Sequence, residues 1–284
     1  MRGRPTTRYL FAIAALCAVG LACRGAAPAA TAAKEAPPPA IEPYLAAGST
    51  LVDARADELM RAMSARLAQA GSFALEAEEI YDEVPEQSPR QSLAGLRRVA
   101  VRRPDRAWGD ATGDAVNRTF VYDGTTLSVY DKEQNVWASG VVPPTIDGAL
   151  DWAFEQTGTV VPLADFLYAD PYARMMGSVQ RGVYLGIHDV AGVPCHHLSF
   201  EQANIDWQIW IDAGRDPLPR KLTIAYKTED EVPQYTAVIR KWDFKAAVPD
   251  SLFTFAPPAT ATRIEVPAMA RTQTAQPVEA QEKK

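Results

Sequence analysis

The side chains with the most reactive chemistry gather on one short run, Val193-Pro194-Cys195-His196-His197, with His188 a few residues upstream. A thiol with imidazoles is a ligand set for zinc, and an imidazole beside a hydroxyl or thiol is the base of a nucleophilic hydrolase. The run reads as a strand, in which neighbouring side chains point to opposite sheet faces. Cys195 and His197 therefore share a face that His196 does not. A metal would need ligands from adjoining strands, where His188 is the one further histidine of the three in the chain. There is no Cys-x-x-Cys pair and no His-Glu-x-x-His helix, so no metal and no cofactor is expected, and Cys195 is read as a small buried hydrophobe. A nucleophile elbow, a phosphate loop and a dinucleotide glycine fingerprint are also missing from the sequence. No catalytic residue is assigned, and the chain is expected not to be an enzyme.

The elements that must carry these residues are strands. From Gly182 to Lys227, Val183/Leu185/Ile187, His196/Leu198/Phe200, Trp207/Ile209/Ile211 and Leu222/Ile224/Tyr226 alternate with their neighbours between turns at Ala191-Gly192 and Ala213–Pro217. Such period-two runs predict four half-buried antiparallel strands. Further strands are expected from Ser72, over Leu93–Arg103, around the Asp123-Gly124 hairpin (Arg118–Tyr122, Leu127–Tyr130), from Val136 and over Gln234–Asp243. Pro249–Phe255 is expected as a terminal edge segment.

Helical spacing occurs in two places. Ala56, Leu59, Met60, Met63 and Leu67 predict a helix capped by Asp53 or Asp57 and stopped at Gly71. Ile146, Ala149, Leu150, Ala153 and Phe154 predict a second behind Thr145, followed by short helices with Leu163, Phe166 and Leu167 and over Asp170–Met176. This insertion can bury its apolar stripe only against the sheet. The fold class is thus α+β, a curved antiparallel sheet with helices packed across one open face. A cavity between sheet and helices would be lined by Phe120, Tyr122, Trp207, Ile209, Leu222 and Ile224 from the strands and by Phe154 and Phe166 from the helices, all taken to point inward. Trp207 and Trp210 fall on opposite faces of one strand.

The ends of the chain carry an address. Arg2, Arg4 and Arg8 precede the apolar run Tyr9–Ala22, which is short for a membrane span and reads as a signal peptide over residues 1–22. Gly20-Leu21-Ala22-Cys23 resembles a lipobox, with lipidation at Cys23; cleavage near Ala26–Ala30 is the alternative. Residues 23–48 are an Ala/Pro-rich tether, 49–267 the folded domain and 268–284 a polar, disordered tail. The formal net charge is -6, and loss of residues 1–22 makes the chain three units more negative. Nucleic acid is excluded as a partner, because phosphate contact needs a basic face.

Gly192–Phe200, Asp206–Ile211 and Pro217–Leu222, with Arg103–Arg106, Phe120–Gly124 and Phe253–Pro258, resemble a family of predicted bacterial periplasmic proteins of unknown function, over about residues 55–260. That family is similar in strand–helix layout to the LolA/LolB-like lipoprotein carriers. The resemblance implies a carrier-like half-barrel, a curved antiparallel sheet with helices covering the concave face, and an exported, non-enzymatic protein that binds a lipid or a lipoprotein acyl chain. It implies a location in the periplasm, anchored to the outer membrane where Cys23 is lipidated. The alternative is an envelope sensor or assembly factor that binds a protein partner with the same fold.

Overall fold

The computed structural model describes residues 51–84, 89–157, 162–227 and 231–266. The expected signal peptide, the tether with Cys23 and the tail at 268–284 lie outside them.

Helix α1 (Ala54–Ala68) begins at Asp53, whose carboxylate accepts a hydrogen bond from the Arg55 N–H at 2.7 Å. Its face of Ala56, Leu59, Met60, Met63 and Leu67 is buried, as the spacing predicts. Six strands follow: β1 (Ser72–Glu83), β2 (Gln91–Arg102), β3 (Arg106–Gly113), β4 (Asn117–Tyr122), β5 (Thr126–Asp131) and β6 (Val136–Val141). The chain then turns helical in α2 (Ile146–Thr157), a 3-10 helix (Pro162–Leu167) and α3 (Pro171–Met176). The Thr145 hydroxyl accepts from the Gly148 N–H at 3.0 Å at the start of α2, and the Asp170 carboxylate caps α3. Strands β7 (Arg181–Val190), β8 (Val193–Glu201), β9 (Ile205–Asp212), β10 (Pro219–Tyr226) and β11 (Gln234–Asp243) complete the main sheet.

With the short β12 (Thr262–Arg263), all these strands belong to one open sheet in the order β12-β6-β5-β4-β3-β2-β1-β11-β10-β9-β8-β7. Every pairing is antiparallel except that of the two-residue β12 (Thr262–Arg263), which runs parallel to β6. The sheet is curved and unclosed, the α+β half-barrel that the family resemblance implies. One expectation needs correction. Pro249–Phe255 is not an edge strand: Asp250–Phe253 forms a 3-10 turn against β3 and β4, and Thr262–Arg263 takes the edge instead. Pro249 and the capping geometry of a tight turn leave too few extended residues there for a ladder, while Arg102 holds Asp250 at 2.5 Å and lies over the Phe253 ring.

The principal core lies on the helical side of the sheet. It joins the buried face of α1 to Phe73, Leu75 and Ala77 of β1, Phe200, Trp207, Ile209 and Leu222, and Ile146, Leu163 and Phe166. A smaller cluster of Val190, Cys195 and Trp210 lies on the outer side. Trp207 and Trp210 therefore do face opposite ways.

Candidate functional site

Register fixes what the inner face offers at each strand. Val99 of β2 pairs with Gly109 of β3, and Gly109 with Phe120 of β4; Ala107 pairs with Tyr122, and Tyr122 with Leu127 of β5. The inward positions of β3 are thus Ala107, Gly109 and Ala111, three small residues in succession between larger neighbours. A sheet with almost no side chain along one strand leaves a trough, and close packing fails there unless something fills it.

Helix α2 spans the trough without filling it. Ile146, Ala149, Leu150 and Ala153 stand on one face at i, i+3, i+4 and i+7 and look down on Val99, Gly109, Phe120, Tyr122 and Leu127, with Leu163, Ala164 and Leu167 of the 3-10 helix closing one side. The space between is a cavity of about 130 Å³ whose walls are almost wholly apolar. Arg97 is the one charged side chain among its lining residues.

Arg97 is held from behind. Its Nε donates to Glu79 at 2.6 Å, and the Tyr235 hydroxyl donates to the same carboxylate oxygen at 2.6 Å. Burial pulls the guanidinium towards neutrality, but Glu79 outweighs it, so Arg97 keeps its charge. A second pair, Arg118 to Asp131 at 2.9 Å, is buried on the same face of β4 and β5. Salt bridges this deep cost desolvation and gain little net stability, but leaving either partner alone would be expensive.

Two ties hold the helical cover to the sheet. Arg103, in the turn just past β2, donates to the carbonyl oxygens of Leu167 at 2.6 Å and Tyr168 at 3.0 Å. The Tyr168 hydroxyl in turn donates to Asp151 of α2 at 2.7 Å, and burial raises the Tyr168 pKa, so this donor stays protonated. The ring of Trp152, also on α2, rests on Gly140 of β6, where a Cβ would overlap it.

Of the eight residues expected to line a cavity, Phe120 and Tyr122 do so. The other six lie elsewhere. Trp207 stacks on Phe200 with ring centres 4.3 Å apart, and with Ile209 and Leu222 it fills the core of the other half of the sheet. Ile224 packs against that core, and Phe166, which shares the core with Leu163 and Leu167, meets the Trp242 ring instead of the cavity. Phe154 is 43% exposed, since at about 100° per residue it falls about 80° around the helix from Ile146, beyond the buried stripe. The alternation and helical spacing put only Phe154 of the α2 stripe in the expected site, and no residue of β3. The available signal was the spacing Ala107-x-Gly109-x-Ala111.

The histidines sit apart from the cavity. His196 Nδ1 is 3.0 Å from the Tyr184 hydroxyl on the inner side, while His188 and His197 meet on the outer side, Nδ1 to Nδ1 at 2.9 Å. Cys195 is buried, its thiol pushed up to about 11 by burial, and it donates to the Val193 carbonyl oxygen. A protonated thiol in that state is a poor nucleophile and a poor ligand. Among the described residues no group of three or more His, Cys, Asp or Glu side chains could enclose a metal ion, and no helix is long and apolar enough to cross a membrane.

Several solved structures are similar to the chain. The lipoprotein LppX of Mycobacterium tuberculosis is 15% identical, with 69% of this chain and 100% of that one covered and a TM-score of 0.44. A conserved protein of Thermus thermophilus is 10% identical over 74% and 99% of the two chains, with a TM-score of 0.44. A LolA superfamily protein of Nitrosomonas europaea is 10% identical over 70% and 97%, with a TM-score of 0.37. Likenesses at this level say nothing of ligand or partner. No curated protein matches the sequence. The family is clear, however: a model for it matches residues 56–267, and the chain belongs to the DUF2092 family, described as predicted periplasmic proteins.

Proposed function

We propose that the domain is a non-enzymatic binding protein of the bacterial envelope that holds an apolar ligand, a lipid or lipoprotein acyl chain, between α2 and strands β2–β5. The observation that carries this reading is the apolar cavity over Ala107 and Gly109. At about 130 Å³ it is close to the ~150 Å³ of an apolar cavity that stays dry and admits a benzene-sized guest. It falls short of the ~300 Å³ at which drug-sized ligand sites begin, so the cover in this state suits the end of a chain rather than a whole lipid. Each methylene buried would contribute ~0.8 kcal/mol, and six of them roughly 5 kcal/mol, a sub-millimolar grip before ordering costs. Attachment to the outer membrane through a lipid on Cys23 is part of the same proposal and accords with the family's periplasmic description.

The test is native mass spectrometry with lipid extraction on protein purified from a bacterial envelope. A co-purifying acyl species near one equivalent is expected. A mass without ligand, together with no uptake of added fatty acid or phospholipid, would overturn the reading.

A second reading, a protein partner, draws on β7. This strand lies at the edge of the sheet and exposes Val183, Leu185 and Ile187. Its register shifts between Tyr184 and Gly186, and such a bulge hinders strand addition. The cavity is the stronger ground.

A further inference from the structure

We propose that His188 and His197 form a two-imidazole site for a divalent transition cation, Cu²⁺ foremost, on the outer face of the sheet. The two residues are not opposite each other in the ladder: His188 pairs with Cys195, and His197 with Gly186. Both nevertheless project from the outer face, and their rings meet at 4.9 Å between centres.

The protonation of His197 is set by its other nitrogen. Nε2 lies 2.8 Å from Gln208 Oε1, an oxygen that can only accept, so Nε2 carries the proton. The lone pair of His197 is therefore on Nδ1, aimed at His188. An imidazole whose far N–H is fixed on an amide oxygen is the arrangement that orients histidine ligands in metal sites. The ring is also immobilised, stacked on Trp210 at 3.9 Å with 14° between the planes.

Distance puts both nitrogens within reach of one cation. Two nitrogens about 2.05 Å from one metal stand roughly 2.9 Å apart at a 90° angle and roughly 3.3 Å apart at the tetrahedral angle. The observed Nδ1–Nδ1 distance is 2.9 Å. That is the length of a hydrogen bond from His188 Nδ1–H to the His197 lone pair, so a cation would replace this proton, and the two nitrogens stand close enough to serve one metal; Cu²⁺ heads the affinity order for such ligands. His188 is exposed, so its ring can turn by the small amount needed to aim both lone pairs at one point, with water completing the shell. Cys195 stays out of the set, because its thiol is buried and turned to Val193. Lys221, 4.4 Å from the Trp210 ring centre, opposes a nearby cation and keeps the affinity modest. Bound metal would clip the edge strand β7 to β8.

The chain has three histidines, so each is separately testable. The full chain, carrying no histidine tag, is titrated with Cu²⁺ at pH 7.5 and followed by electron paramagnetic resonance. One equivalent with the nitrogen pattern of two imidazoles is expected. His188→Asn and His197→Asn should each weaken binding at least tenfold and leave at most one imidazole, while His196→Asn changes neither. The metal should also raise the melting temperature of wild type and His196→Asn but not of His188→Asn. Absence of binding, an unchanged affinity in His188→Asn or His197→Asn, or an equal loss in His196→Asn would overturn the proposal.

Discussion

Trp152 of α2 covers Gly140 of β6 so closely that a side chain at position 140 would occupy the space of its ring. The contact seats the far half of α2 on the sheet, beyond the cavity, and so sets the height of the cavity roof. Gly140→Val is therefore expected to lift α2. Overpacking of this kind costs about 1–3 kcal/mol. Urea unfolding should show that loss, and fatty-acid uptake should change with it. Unaltered stability would mean that Trp152 swings away without cost.

The pair of Glu79 and Arg97 gives a second expectation. Glu79 is buried and serves both Arg97 and Tyr235. Glu79→Ala strands a buried guanidinium beside the cavity and should cost about 3–5 kcal/mol. The double change Glu79→Leu with Arg97→Met should recover most of that loss, since it leaves no unpaired charge. Chemical denaturation of the two variants separates the cases, and a double variant no better than Glu79→Ala would show that the pair is not the cause.

Stability should depend on pH through the histidines. Burial holds His196 and His197 below the ordinary imidazole value of 6.5, and for His197 the neighbouring His188 and Lys221 push the same way while Gln208 opposes them. As pH falls, the unfolded chain takes up protons first. Stability is then unaffected well above pH 6.5, declines as pH drops through that value, and levels off below the folded-state values. Urea midpoints at pH 7.5 and 5 should differ less in His197→Gln than in wild type. Equal differences would remove His197 from the effect.

The sequence made the strands legible because most of them are half-buried, and half-burial writes itself as alternation. Trp207, Ile209 and Ile211 against Asp206, Gln208 and Asp212 are an instance, and the helical stripe Ile146, Ala149, Leu150 and Ala153 is as plain at its own period. The cavity was not legible for a related reason. Periodicity reports where large apolar side chains are, whereas the trough exists where Ala107, Gly109 and Ala111 have none. Bulky residues such as Trp207, Ile209 and Leu222 attract the eye as a lining, but they pack against one another and close their half of the sheet. The meeting of His188 with His197 was hidden as well, since the two lie diagonally across the β7–β8 ladder and touch only through the way their rings turn.

The most direct measurement is a titration of the purified chain with a fluorescent long-chain fatty acid, alongside Ala153→Phe and Phe154→Ala. Ala153 lines the cavity and Phe154 does not, although they are neighbours on one helix. Saturable binding near one equivalent is expected for wild type, with a loss of at least tenfold in Ala153→Phe, whose ring fills the space, and no change in Phe154→Ala. Binding as tight in Ala153→Phe as in wild type, or none in wild type, would contradict a ligand site between α2 and the sheet.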